Sequence, residues 1–336
     1  MRRVSHGSCG QVLRTIRPKL FGVAVAVGLI SAAVAAGAPP AGASSWSVVT
    51  SPNPSGSLTT TLSAVACPST KSCFAVGSAV TGGVLRPLAA RWNGSTWGIV
   101  PSPIPSSASG AALAGVTCPN TKSCFAVGSF TTRTATETLV EHWNGVGWGL
   151  LGSINVTTFN ALNAVTCAST KSCFAVGNYA SGTMRTLVEH WNGSAWGVMP
   201  SPNPSGSTSA SLRGVACPTT KSCFAVGTMS NASGAHTLGE HYNGSGWGVL
   251  SEPPAAAAVL AGVACPTAKS CFAVGNASVK NIIEHWNGTG WGSTSAPNPP
   301  SVDHLSGVAC PSRAICFAVG DNNKVFPQKA LTLRYA

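Results

Sequence analysis

The chain has 336 residues, 20 Lys and Arg against 8 Asp and Glu, and only 8% charged residues in all. Cations this sparse exclude the basic face, interleaved with aromatics, that a nucleic-acid binder presents. Five of them, Arg2, Arg3, Arg14, Arg17 and Lys19, precede an uncharged small and aliphatic stretch at 20–36, leaving 15 cations against the 8 acids and a net charge of +7 beyond it.

Residues 1–43 read as a secretory signal peptide. The basic leader and apolar stretch are followed by Ala41-Gly42-Ala43, the small-x-small pattern after which a signal peptidase cuts. Seventeen apolar residues lie near the lower limit for spanning a bilayer, so a retained anchor is the alternative. The expected mature chain is 44–336, secreted to the extracellular space or the cell surface, with no membrane span of its own.

Beyond the leader, the sequence CFAVG occurs six times, each with a second cysteine six residues before its own. The pairs are Cys67/Cys73, Cys118/Cys124, Cys167/Cys173, Cys217/Cys223, Cys265/Cys271 and Cys310/Cys316. Their first members recur at intervals of 45 to 51 residues, the period of a modular repeat. Cys-x5-Cys is not a zinc spacing, and an exported chain favours disulfides, so each pair is expected to close its own short loop. No metal or cofactor is expected.

The first unit reads as four short strands. Residues 62–67 and 73–77 flank a turn at 68–72; residues 88–92 form a third strand, Asn93-Gly94 a hairpin turn, and 97–100 a fourth strand. The third-strand motif recurs as Glu141-His142-Trp143, Glu189-His190-Trp191, Glu240-His241-Tyr242 and Glu284-His285-Trp286, and Trp148, Trp196, Trp247 and Trp291 open the fourth strand. Four antiparallel strands repeating near 50 residues make a propeller blade. The sixth unit ends at its third strand, whereas Ser44, Ser45 and Trp46 open a fragment with the fourth-strand pattern. The expected fold is therefore all-β, a six-bladed propeller closed by the N-terminal strand pairing into the last blade, and a monomer.

The unit L-x-x-V-x-C-x5-C-F-A-V-G, followed by W-N-G-S-x-W, resembles bacterial propeller repeats of the neuraminidase (Asp-box) type and of photosystem II assembly-factor-like proteins. The resemblance covers 44–336. It departs in the paired cysteines and in Asn93, which stands where the Asp of the Asp-box would. It implies a propeller fold but no activity, because such repeats serve enzymes, receptors and assembly factors alike.

Candidate chemistry is thin. The Glu-His pairs lie on the third strand of separate blades and are expected to be structural. Outside them only Glu137, Glu252, Asp303 and Asp321 carry carboxylates, and none forms the acid–base pair of a glycosidase. The recurrent tryptophans suit packing between blades, with sugar stacking as the other reading. Lys71, Lys122, Lys171, Lys221 and Lys269 occupy one turn position in five successive blades, with Ala314 and Arg313 in the sixth. If the first strand is innermost, these lysines ring one mouth of the central channel and form a candidate polyanion site. The connections between strands two and three vary most and are the other place expected to carry specificity. The expected function is a non-catalytic propeller presenting a binding surface for anionic envelope or extracellular polymers or glycans, with a protein of the envelope as another partner. The alternatives are a glycan-active enzyme built from the variable loops and a structural or assembly protein.

Overall fold

The computed structural model describes residues 49–251, 258–277, 280–295, 303–322 and 329–335. All regular structure there is β. Blade one holds Ser57–Ser69 (β1), Ser72–Thr81 (β2), Val84–Trp92 (β3) and Trp97–Val100 (β4); blade two Gly110–Asn120 (β5), Ser123–Thr131 (β6), Thr136–Trp143 (β7) and Trp148–Leu151 (β8). Blade three holds Asn160–Ser169 (β9), Ser172–Ser181 (β10), Thr183–Trp191 (β11) and Trp196–Met199 (β12); blade four Ser209–Thr219 (β13), Ser222–Asn231 (β14), Gly234–Tyr242 (β15) and Trp247–Leu250 (β16). Blade five holds Ala258–Thr267 (β17), Ser270–Ala277 (β18), Lys280–Trp286 (β19) and Trp291–Thr294 (β20); blade six Asp303–Ser312 (β21), Ile315–Asn322 (β22) and Lys329–Tyr335 (β23).

Each sheet is an antiparallel meander in chain order, and the six sheets are the blades of a six-bladed β-propeller. The first strands β1, β5, β9, β13, β17 and β21 pack against one another in succession and are innermost. Five blades have four strands and the sixth has three. The fragment expected to complete the sixth begins at Ser44, and 44–48 lie outside the described residues, as does the leader.

Three strands per blade are longer than their apolar runs. The segment 78–87, read from sequence as a variable loop, is strand: Ser78 pairs with Pro87, Ala79 with Arg86 and Val80 with Leu85, leaving Gly82 and Gly83 at the turn. Tyr179 likewise pairs with Arg185. Backbone pairing extends these hairpins through residues such as Ala79 and Pro87, types depleted in strands. The supposed specificity loops are therefore tight hairpin tips.

The CFAVG motif has a backbone cause. Opposite its glycine every inner strand carries a bulge, a shift in register between Leu162 and Ala164 in blade three and between Leu212 and Gly214 in blade four. A Cβ on Gly177 would overlap the carbonyl oxygen of Ala161, so no larger residue fits there. Phe174 and Val176 project to one neighbouring blade, while Cys173 and Ala175 project to the other, by the two-residue period of the strand.

Candidate functional site

Four inter-blade junctions share one design, and the fifth keeps part of it, with Phe272 against its own His285 and Tyr335 of blade six. Phe125 of blade two lies 4.7 Å from its own His142 and 5.3 and 5.5 Å from Trp191 and Trp196 of blade three. Phe174 repeats this with His190, Tyr242 and Trp247, and Phe224 with His241, Trp286 and Trp291. In blade one Arg91 replaces the histidine, its guanidinium 5.1 Å from the Trp143 ring. The tryptophans of the second to fifth blades are thus packing residues. Trp148, Trp196, Trp247 and Trp291 are buried.

The Glu-His pairs divide between the two sides of this junction. Each histidine stacks on its phenylalanine, and its Nε2 meets the serine preceding the CFAVG cysteine: Ser123 at 3.0 Å from His142 and Ser222 at 3.0 Å from His241. Burial lowers the pKa of His142, His190, His241 and His285. Each glutamate points the other way and is fully buried. Hydroxyls of the preceding inter-blade connection donate to it: Ser102 to Glu141 at 2.7 Å, Ser153 to Glu189 at 2.8 Å, and Ser201 to Glu240 at 2.8 Å. The same Ser201 Oγ lies 2.8 Å from Thr186 Oγ1 of its own blade, within hydrogen-bond distance, so one serine ties two blades. Burial pushes Glu141 and Glu189 up to about 7 and Glu240 to about 8, the serine hydrogen bond pulling the other way. A carboxyl sealed inside a junction reaches no substrate, and its neighbours of the same kind sit in other junctions. These are structural locks, as the sequence led us to expect.

The sixth junction buries less. Val319 of blade six is 48% exposed, and Leu62 and Val65 of blade one 43% and 61%, whereas Val274, Leu113 and Val116 in the equivalent places are buried. A cavity of about 300 Å³ opens between blades five and six, lined by Phe272, Val274, Leu333, Arg334 and Tyr335 among others. In the neighbouring blades the fourth-strand tryptophan stands beside the corresponding phenylalanine.

The six Cys pairs are bonded as expected, Cys67–Cys73, Cys118–Cys124, Cys167–Cys173, Cys217–Cys223, Cys265–Cys271 and Cys310–Cys316. Five of them pin a turn that presents a lysine, and Cys310–Cys316 pins the turn of Arg313. Lys71, Lys122, Lys171, Lys221 and Lys269 are all exposed. The turn is not their only support. The Lys71 stem lies against the third-to-fourth-strand turn of its own blade, where a Cβ on Gly94 would sit 3.3 Å from Lys71 Cγ. Gly145, Gly193, Gly244 and Gly288 meet Lys122, Lys171, Lys221 and Lys269 in the same way. The stems therefore run outward across each blade instead of into the channel mouth.

That second turn is four residues long, with Trp92 pairing Trp97, and Asn93 acts through its side chain: Oδ1 accepts from the amides of Ser95 and Thr96 at 2.9 Å. Gly94 alone needs positive φ, 102°. The Asn-Gly dipeptide is thus a capped four-residue loop and not the two-residue turn its sequence suggests.

Acidic residues keep to one end of the blades, while cations stand at both, Arg86, Arg133, Arg185, Lys280 and Lys329 lying at the same end as the acids. The turns from first to second and from third to fourth strand carry the five lysines and Arg313, and no acidic residue among the described residues. Glu137, Asp303 and Asp321 stand at the opposite strand ends, while Glu252 lies outside the described residues. Among the described residues no group of His, Cys, Asp and Glu could hold a metal ion, and no helix is long and apolar enough to cross a membrane.

The chain is a bladed propeller of the kind found in several unrelated proteins. No family model matches it, and no curated protein does. Among solved structures it is similar to the WD40 repeats of RRP9, with a TM-score of 0.51 and 12% identity over 76% of this chain and 71% of that one. It is also similar to YCF48 from Cyanidioschyzon merolae, TM-score 0.50 and 11% identity over 81% and 78%, and to the Hadza microbial sialidase Hz136, TM-score 0.51 and 11% identity over 76% and 62%. The last two agree with the repeat types its sequence resembles. At such identities the likeness defines the fold alone.

Proposed function

We propose that this chain is an exported, non-catalytic β-propeller whose turn-side face binds an anionic polymer of the cell envelope or extracellular space. The repetition of one cation carries this reading: five exposed lysines at one structural position, on a face without acids among the described residues. Each turn is pinned by a disulfide and each lysine stem is propped on a capped turn, so little ordering entropy is lost when a ligand binds. One exposed charge pair contributes about 1 kcal/mol or less. A polymer spanning several blades adds such contacts through effective concentration. Residues 1–43 serve as the export leader in this reading, and six disulfides suit an oxidising environment.

Replacing the five lysines with Gln tests it. The variant should keep the wild-type melting temperature and lose retention on heparin or teichoic-acid matrices, and wild-type retention should fall steeply with salt, since exposed charges are screened within about 8 Å at physiological ionic strength. Equal retention of both proteins at low salt refutes the proposal.

A further inference from the structure

The bulge on each inner strand leaves one residue outside the ladder. In five blades it is small or uncharged: Ser63, Ala114, Asn163, Ala261 and Ser306. In blade four it is Arg213, skipped between the Leu212–Gly227 and Gly214–Val226 pairs. Arg213 is exposed, on a strand that lines the centre of the propeller. Among the described residues it makes no hydrogen bond, ion pair or ring contact. The inner strands hold only one other formal charge, Asp303 at the start of β21.

The backbone around Arg213 is held by a polar network. Asn163 of blade three donates from Nδ2 to the carbonyl of Leu212 at 2.7 Å and to Asn178 Oδ1 at 3.3 Å, and Ser211 donates to the same Oδ1 at 3.1 Å. Asn178 is more than nine-tenths buried. The residue after Arg213 abuts the next blade: a Cβ on Gly214 would lie 3.1 Å from Gly262 Cα. The bulge that carries the guanidinium is therefore fixed from both neighbours.

A long cation that breaks a repeat of small residues needs a reason, since solvation alone is available at any outer position. We propose that Arg213 is an oxyanion site in the central channel, taking one carboxylate or phosphate group. Guanidinium suits this because its planar fork donates two parallel hydrogen bonds to either group. Channel walls of low dielectric focus its field on an entering anion. The site lies six residues of strand from the turn that presents Lys221, roughly 20 Å, and does not depend on the turn-side face.

The test follows the Nε–Hε resonance of Arg213 in the 15N-arginine-labelled protein, assigned by its loss in Arg213→Gln. Inorganic phosphate and acetate are titrated separately at constant ionic strength. A saturable shift is expected, unchanged when the five lysines are Gln, and about tenfold weaker affinity is expected in Asn163→Ala, which frees the bulge. Saturation with phosphate alone, acetate alone or both assigns the source of the oxyanion. A shift that grows linearly without saturation for both anions marks an ordinary solvated arginine and overturns the proposal, whatever the variants do.

Discussion

Glu240→Gln should change how stability depends on pH, and the size of the change follows from burial. Glu240 is fully buried with the Ser201 hydroxyl as its partner, and burial raises its pKa to about 8. In the unfolded chain it titrates near its ordinary value of 4.5. Between these values the unfolded state has released a proton that the folded state keeps. The site's contribution is therefore fully present below pH 4.5 and lost as pH rises through about 8. From pH 5 to pH 7 the loss through this one site is about 2–3 kcal/mol, two pH units at about 1.4 kcal/mol each, less the incomplete ionisation at pH 5. Gln keeps the hydrogen-bonding shape and does not titrate. The neighbouring His241, its pKa lowered by burial, works in the opposite sense: its contribution is present above about pH 6.5 and lost as pH falls. Subtracting the variant's profile from that of the wild type removes the histidines. Urea unfolding followed by tryptophan fluorescence at pH 5, 6 and 7 gives the two profiles. Parallel profiles would show that Glu240 ionises normally in the fold and that the buried-lock description is wrong.

Three further outcomes test the junction design. Phe174→Ala should cost about 3–5 kcal/mol in denaturant unfolding, because it empties a fully buried stack, whereas Phe317→Ala at the less buried sixth junction should cost under about 2 kcal/mol. Gly177→Ala should prevent folding of soluble protein, while Gly197→Ala, with open space around its Cβ, should express normally with a melting temperature within a few degrees of wild type. Replacing Cys217 and Cys223 together with Ser should cost about 2 kcal/mol, the chain entropy of so short a loop, and mass mapping of unreduced wild type should find bridges only within each pair.

The repeat, the blade count, the strand order and the disulfide pairs were legible in the sequence because each is a local property copied six times. A cysteine pair six residues apart across a turn can reach only itself, and a Trp after an Asn-Gly turn marks the same corner in every unit. The separate fates of Glu and His in the third-strand motif also follow from local geometry, since adjacent residues on a strand face opposite sides. What sequence could not supply was which partner each side meets. The Ser201 hydroxyl and the Glu240 carboxyl are 39 residues apart and belong to different blades, and only the packing of one sheet on the next brings them within 2.8 Å. The strand extensions through 78–87 were missed for a related reason: their ladders are made by backbone groups, which every residue type carries. The lysine stems run outward because the outer turn of the same blade, 19 to 23 residues further on, offers a glycine surface to lie on. Arg213 is plain in the sequence as one Arg among the 15 cations beyond residue 43, and becomes a candidate site only once the bulge on β13 sets it on the innermost strand. Periodicity and spacing determine the blade; the register of its strands and the apposition of neighbouring sheets decide which side chains are sealed inside and which remain free to bind.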